Sequence, residues 1–225
     1  MTTNIVNHDG AIADFQGDSA LGFWGWPLAL VEGPLPACRA ALAMLNTFDL
    51  ANSESRNSDL KGFRIGIGVA CGKAIAGRIG TKHQAKVGVF GPVVNLGARL
   101  ESMTKQIGCT ILVDGATAHA VRAYFPPSEG RCRRIGLIKP VGVNTPIDVN
   151  QLLPSENRSD LSNQNIIDFE AAVTAFIAGD WDEARELFGQ MPVKDRAKDF
   201  LLLQIASHNY EPPGDWAGII NLTAK

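Results

Sequence analysis

Asn95 and Arg99 stand four residues apart in the run VVNLGARLE, so on a helix an amide and a guanidinium point the same way, one turn apart. Such a pair can grip a phosphate or a ribose, the guanidinium through its planar fork of N–H donors. The same spacing also suits a solvated helix face. Gly91 and Pro92 come just before, a dipeptide that fits a strand-to-helix corner whose free backbone N–H groups can meet an anion. The other candidate is Asp18, which follows Gly17 between two apolar-rich runs. A carboxylate on a tight turn offers a hard oxygen donor to a divalent cation, although Gly-Asp is also ordinary turn chemistry.

Apolar Val93, Leu96, Leu100, Met103 and Ile107 recur every three or four residues, with Asn95, Arg99, Ser102 and Gln106 on the other side. That periodicity predicts an amphipathic helix over 93–107. Runs 11–16 and 20–26 predict a hairpin that presents Asp18 at its tip. Residues 36–45 are rich in Ala and Leu and read as a helix, followed by a polar surface loop over 51–61. Short β-type runs at 63–69 and 87–90 predict a second hairpin, punctuated by Gly72, Gly77 and Gly80.

Further on, 109–113 reads as a strand, 116–123 as a short helix, and 134–153 as one or two closing strands around Gly142 and Pro146. Strands and helices mix without strict alternation. This predicts an α+β fold with helices on one side of a largely antiparallel sheet. Residues 154–165 are polar and mark a boundary. Beyond it, 166–178, 181–188 and 193–208 read as helices, with a Gly179-Asp180 turn and an extended tail over 210–225.

Composition narrows the function. The chain has 225 residues, 45% hydrophobic and 20% charged, the usage of a folded protein. Its 21 basic and 23 acidic residues include no run of Lys or Arg, which argues against nucleic acid as the main partner. Cys38, Cys71, Cys109 and Cys132 show no metal or disulfide spacing, as expected of reduced thiols in the cytoplasm. Asp9, Asp14 and Asp18 interrupt any signal sequence, and Gly22, Gly25 and Pro27 break the longest apolar run, so no membrane insertion is expected of this segment. Phe23, Trp24 and Trp26 read as core or dimer packing rather than as a stacking surface for bases.

Read together, DGAIADFQGDSALGFWG (9–25), IGIGVACGKAIAGRIG (65–80) and VGVFGPVVNLGARLE (87–101) resemble the class III nucleotidyl cyclase catalytic domain in order and spacing. The resemblance covers residues 1–154. It implies a ferredoxin-like palm, paired head to tail as a homodimer whose active sites are shared between the two chains. It also implies a reaction in which ATP or GTP closes to a 3′,5′-cyclic nucleotide with loss of pyrophosphate, in cyclic-nucleotide signalling. Two divalent ions, Mg2+ or Mn2+, serve each complete site, with Asp18 matching the second of two metal aspartates. Asn95 matches the residue that orients the ribose, and Arg99 the one that stabilises charge on the α-phosphate.

The resemblance also marks departures. It places an opening strand with a first metal aspartate ahead of this segment, so the chain is expected to be inactive by itself. Asp14 occupies a purine-reading lysine position. A carboxylate only accepts hydrogen bonds, which admits guanine alongside the adenine that family prevalence favours. Gly88 occupies the second base-reading position and offers no side chain. Val141 replaces a triphosphate-holding lysine, and Lys139, two residues back on the same strand face, is its candidate substitute; a solvated strand lysine is the alternative. Lys73, Lys82 and Lys86 read as exposed hairpin charges. These departures also fit a rival reading, a degenerate cyclase domain that binds nucleotide or dimerises for regulation. The segment over 166–225 resembles a single tetratricopeptide-like helical pair, which cannot bury its own apolar face and is expected to dock on the palm or on a protein partner.

Overall fold

The computed structural model describes residues 1–27, 29–54, 64–81, 85–142 and 144–222. Helix α1 (Thr2–Val6) leads into a hairpin of β1 (Ala11–Gln16) and β2 (Ser19–Phe23), and helix α2 (Leu35–Glu54) follows. Strand β3 (Ile67–Val69) precedes a second hairpin, β4 (Ile75–Gly80) with β5 (Ala85–Phe90), which runs into helix α3 (Pro92–Ile107). Then come β6 (Ile111–Asp114), α4 (Gly115–Tyr124), β7 (Gly130–Lys139) and β8 (Ile147–Pro154). The chain ends with helices α5 (Asn163–Ala178), α6 (Trp181–Gly189) and α7 (Arg196–Ser207) and strand β9 (Ile219–Asn221). Among the described residues no helix is long and apolar enough to cross a membrane.

The main sheet has the order β3-β6-β8-β7-β9. Its centre is antiparallel, β6 with β8 and β8 with β7, while β3 with β6 and β7 with β9 are parallel. The fold is α+β. Helices cover both faces of this sheet rather than the one expected. Along β6, Ile111 and Val113 pack with Leu35, Cys38 and Val121 of α2 and α4, whereas Leu112 packs with Leu100, Phe169 and Leu201 of α3, α5 and α7. Successive strand residues point to opposite faces, so a strand buried along its whole length must be covered twice.

Several local expectations change. The second hairpin pairs 75–80 with 85–90, not 63–69 with 87–90, because β3 is taken up by β6 in the main sheet. Helix α2 runs to Glu54 and takes in the start of the expected loop. Residues 55–61 of that loop, Phe63, Lys82 and the tail end at 223–225 lie outside the described residues. Within the expected tail, β9 joins the sheet beside β7. Phe23 is buried, and the indole of Trp24 donates to the His8 carbonyl at 2.7 Å while its ring packs on the core.

The C-terminal helices dock on the sheet. Phe169, Val173, Phe176, Trp181, Phe188 and Leu201 share one core with Leu112, Ile135, Ile138 and Val149 of the strands. Ser162 caps α5 in a reciprocal box with Asn165, so this helix starts inside the polar stretch 154–165. Arg133 of β7 crosses the interface. Its guanidinium donates to both oxygens of Asp195, at 2.6 and 2.7 Å, and through Nε to Gln151 at 2.9 Å, and it lies 3.9 Å over the Phe169 ring.

Candidate active site

Helix α3 is the platform. Gly91 caps it with φ 154, and a β-carbon there would press on the Lys73 carbonyl oxygen, so the corner into the helix requires glycine. Pro92 fills the first turn, and Gly108 ends the helix in the left-handed region at φ 79. Leu100, Met103 and Ile107 are buried. The opposite side leaves Asn95 exposed and Arg99 half-buried, one turn apart as the spacing predicts.

Arg99 reaches across to the end of β7, where its Nη1 makes a long contact of 3.5 Å with the Val141 carbonyl oxygen. Lys139, the last residue of β7, is half-buried beside this corner. Its carbonyl oxygen accepts from the Leu222 N–H at 3.0 Å, and it pairs with Asn221 of β9. The structure thus brings Arg99 and the Lys139 segment together at one corner. Sequence reasoning missed that the C-terminal strand braces this edge, and a three-residue strand leaves little signal to find.

Gly88 lies on β5, opposite Gly77, and leads through Phe90 and Gly91 directly into α3. A β-carbon on Gly88 would meet Ile79 Cδ1 at 2.9 Å and the Phe90 ring at 3.1 Å, so those two side chains cover the space that a larger residue would use. Asp14 lies on β1 just after a bulge in the β1–β2 register. Its Oδ2 accepts from Lys86 Nζ at 3.1 Å and its Oδ1 from the Phe15 N–H at 3.1 Å. Lys86 and the Phe15 amide hold the Asp14 carboxyl below the usual carboxylate range. Lys86 is therefore more than an exposed hairpin charge: it bridges the two hairpins.

Asp18 stands exposed at the tip of the first hairpin. Among the described residues no hydrogen bond or ion pair joins it to Asn95 or Arg99 of the same chain. Asn95, Arg99, Gly88, Asp14 and Lys139 belong to connected elements of one protomer, and Asp18 lies exposed at the tip of the hairpin that carries Asp14.

Comparison with known proteins decides what this arrangement belongs to. Residues 33–129 match the family described as the adenylate and guanylate cyclase catalytic domain. These 97 residues, fewer than half of the chain, are similar to that catalytic domain. The match takes in Gly88, Asn95 and Arg99 and leaves Asp14, Asp18 and Lys139 outside its bounds. Adenylate cyclase 1 of Rhizobium meliloti (strain 1021) is 32% identical over 149 residues, 66% of this chain and 22% of that protein. The chain thus spans about a fifth of the length of this curated relative. Among solved structures, the guanylyl cyclase Cya2 superposes with TM-score 0.55 at 25% identity, over 72% of this chain and 78% of the other. The adenylyl cyclase CyaB from P. aeruginosa gives TM-score 0.56 at 23% identity, over 72% and 79%, a likeness of fold.

Cyclase domains of this family generally use divalent metal ions, and the donors present here bear on that directly. Asp18 is right in kind, a hard carboxylate oxygen, but a magnesium ion takes about six oxygens. Among the described residues no three His, Cys, Asp or Glu side chains stand together in a way that could hold a metal ion.

Proposed function

We propose that this cyclase domain converts ATP or GTP to the 3′,5′-cyclic nucleotide and pyrophosphate in cyclic-nucleotide signalling, with two copies paired so that each site draws on both. The reading is supported chiefly by α3, which holds Asn95 and Arg99 on its outward side while its other side is locked into the core. In the reaction the 3′-oxygen attacks the α-phosphorus and the hydroxyl proton departs. The bond from that phosphorus to the β-phosphate oxygen breaks, releasing pyrophosphate.

Arg99 stabilises the charge that builds on the pentacoordinate phosphorus, so its contribution lies in the transition state more than in binding. Asn95 orients the ribose so that the 3′-hydroxyl lies in line. Lys139 holds the triphosphate from the end of β7, and Asp14 and the Gly88 surface receive the base. Asp18 of one copy faces Asn95 and Arg99 of the other and contributes one carboxylate toward Mg2+ or Mn2+. That division of labour fits its exposed position at the tip of the first hairpin. A cytoplasmic setting belongs to the same reading and fits the four free cysteines.

The test is cyclisation of ATP and GTP, side by side with magnesium or manganese, by the protein as the cell makes it. Cyclic nucleotide with equimolar pyrophosphate is expected. Nucleotide binding with no turnover under any of these conditions would instead leave the regulatory reading standing.

A further inference from the structure

The register of β7 with β8 stops at Ile138 opposite Ile147, one residue short of Lys139. The register with β9 runs one step further and pairs Lys139 with Asn221, and the Leu222 N–H donates to the Lys139 carbonyl oxygen at 3.0 Å. Among the described residues, the strand pairing of Lys139 therefore comes from β9 alone. Two residues on, the Val141 carbonyl oxygen meets Arg99, so one backbone span sets the corner where both cations stand. Strand β9 in turn takes its position from the helices. Ile220 is 2% exposed in the core that the sheet shares with α5–α7. The Trp216 indole donates to the Phe176 and Ile177 carbonyl oxygens, both at 3.2 Å, in the last turn of α5, where carbonyls lack a partner further along the helix. Gly218 has φ 72, and a β-carbon there would press on Ile177.

We propose that β9 is a positioning strand for the triphosphate: the C-terminal helices, acting through Trp216 and the Leu222 N–H, hold Lys139 where its ammonium receives the phosphates. The proposal rests on the cyclase reading above and deepens it by giving the C-terminal segment a task at the site. A lysine at the frayed end of a strand has both a loose backbone and a long flexible stem, and a bound anion must order the two together. Pairing with β9 fixes the backbone beforehand, so that only the stem is ordered when the nucleotide arrives, and the affinity is higher for it. Apolar docking of α5–α7 on the sheet does not explain the returning strand, because those helices already share the core through Phe169, Phe176, Phe188 and Leu201. What β9 adds is a partner for the last residue of β7. Anchored on the end of α5 and buried at Ile220, three residues suffice for this, since they borrow the stability of the core.

Binding of 3′-deoxy-ATP and 3′-deoxy-GTP, which lack the attacking hydroxyl and cannot cyclise, tests this on the protein as the cell makes it. Lys139→Ala should weaken the tighter-bound of the two about tenfold or more, the scale of one hydrogen bond to a charged group. Leu222→Pro removes the N–H that reaches Lys139, at a sheet edge where proline is tolerated and after Asn221, whose extended backbone suits it. It should weaken binding about fivefold, the scale of one neutral hydrogen bond. Leu222→Ala keeps the N–H and should stay within about twofold of the wild type, while Trp216→Phe, which loses only the indole donor, should cost about two- to threefold. In a Lys139→Ala background neither Leu222→Pro nor Trp216→Phe should add more than about 1.5-fold, because the group they position is gone, whereas a general loosening of the fold would weaken both backgrounds equally. Wild-type affinity in Leu222→Pro, or the same loss in both backgrounds, overturns the proposal; should that variant not fold, the same two results with Trp216→Phe decide. If Lys139→Ala binds normally, the positioning role falls, and cyclisation of ATP or GTP by the wild type would still uphold the cyclase reading. If the wild type neither binds nor cyclises either nucleotide, the cyclase reading itself falls.

Discussion

Gly68 of β3 lies against the backbone of α3 at Gly97, so closely that a β-carbon on Gly68 would run into the Gly97 carbonyl oxygen and the Glu101 amide nitrogen. Strand and helix meet here without side chains between them, which sets the depth at which α3 sits and hence where Asn95 and Arg99 project. Gly68→Ala must push backbone against backbone and should cost about 1–3 kcal/mol, the usual range for overpacking. Gly97→Ala is different. Its β-carbon would meet only the Gly68 carbonyl oxygen, at 4.0 Å, and the helix gains up to about 1 kcal/mol from losing a mid-helix glycine. Urea unfolding of the two variants checks this; equal midpoints would show that the close approach sits on the wrong residue.

In the proposed reaction Arg99 separates turnover from binding. The only hydrogen bond of its side chain among the described residues is the long one to the Val141 carbonyl, so Arg99→Ala should leave the fold intact. Turnover should fall about 10²–10³-fold, the scale for losing one preorganised transition-state donor, with KM changed no more than a few-fold. Steady-state kinetics on the preferred triphosphate give both numbers. A raised KM with unchanged kcat would make Arg99 a ground-state binding group instead.

The shared-site arrangement has an arithmetic consequence. Under the proposed shared site, Asp18→Ala and Arg99→Ala copies should each be nearly inactive as homodimers, because every site then lacks one of its two groups. Mixed in equal amounts, half of the dimers are mixed, and in each of those one site inherits both defects and the other neither. Activity should return to about a quarter of the wild-type level if the pairing is symmetric. A mixture that stays inactive while the copies exchange would place Asp18 and Arg99 in the same protomer's site or outside it.

What could be read from the sequence was local. The spacing of Leu96, Leu100, Met103 and Ile107 gave α3 and its polar side, and Gly17-Asp18 gave the first hairpin's tip. Strand β4 was missed because Ile75 and Ile79 are exposed among glycines, so no buried alternation marks it. The two-sided covering of the sheet was hidden for another reason: periodicity tells which side of a helix is apolar, not which face of a sheet receives it. The Lys86–Asp14 pair spans 72 residues and depends on two hairpins meeting, which no local pattern encodes.

The thiols should divide three to one. Burial pushes Cys38, Cys109 and Cys132 up to about 12, so at pH 8 almost none of each is the reactive thiolate. Cys71 is exposed, and partial desolvation with Asp114 nearby still raises it above the ordinary thiol value. Raising a thiol's pKa lowers the thiolate fraction at any given pH below it, so Cys71 should react alone in the native protein, yet more slowly than a free cysteine. An aromatic disulfide reagent at pH 8 should titrate one group natively and four in denaturant. More than one fast native thiol would mean that the core around α2, β7 or the α3–β6 connection opens.

Arg133 and Asp195 are both about 1% exposed, and their two short hydrogen bonds tie β7 to the start of α7. Asp195 also accepts from the Lys198 N–H, capping the helix. Asp195→Ala removes the cap and strands a buried guanidinium, and losing one partner of a buried pair costs about 3–5 kcal/mol. Asp195→Asn keeps a capping oxygen and should recover about 1 kcal/mol of that. Replacing both residues with apolar side chains of similar volume should restore much of the remainder, because no charge is then left unpaired. Since the core under α5–α7 is continuous with the sheet, unfolding should be a single transition in all of these proteins. An early, separate melting of the C-terminal helices in the wild type would mean that they rest on the cyclase domain without sharing its stability.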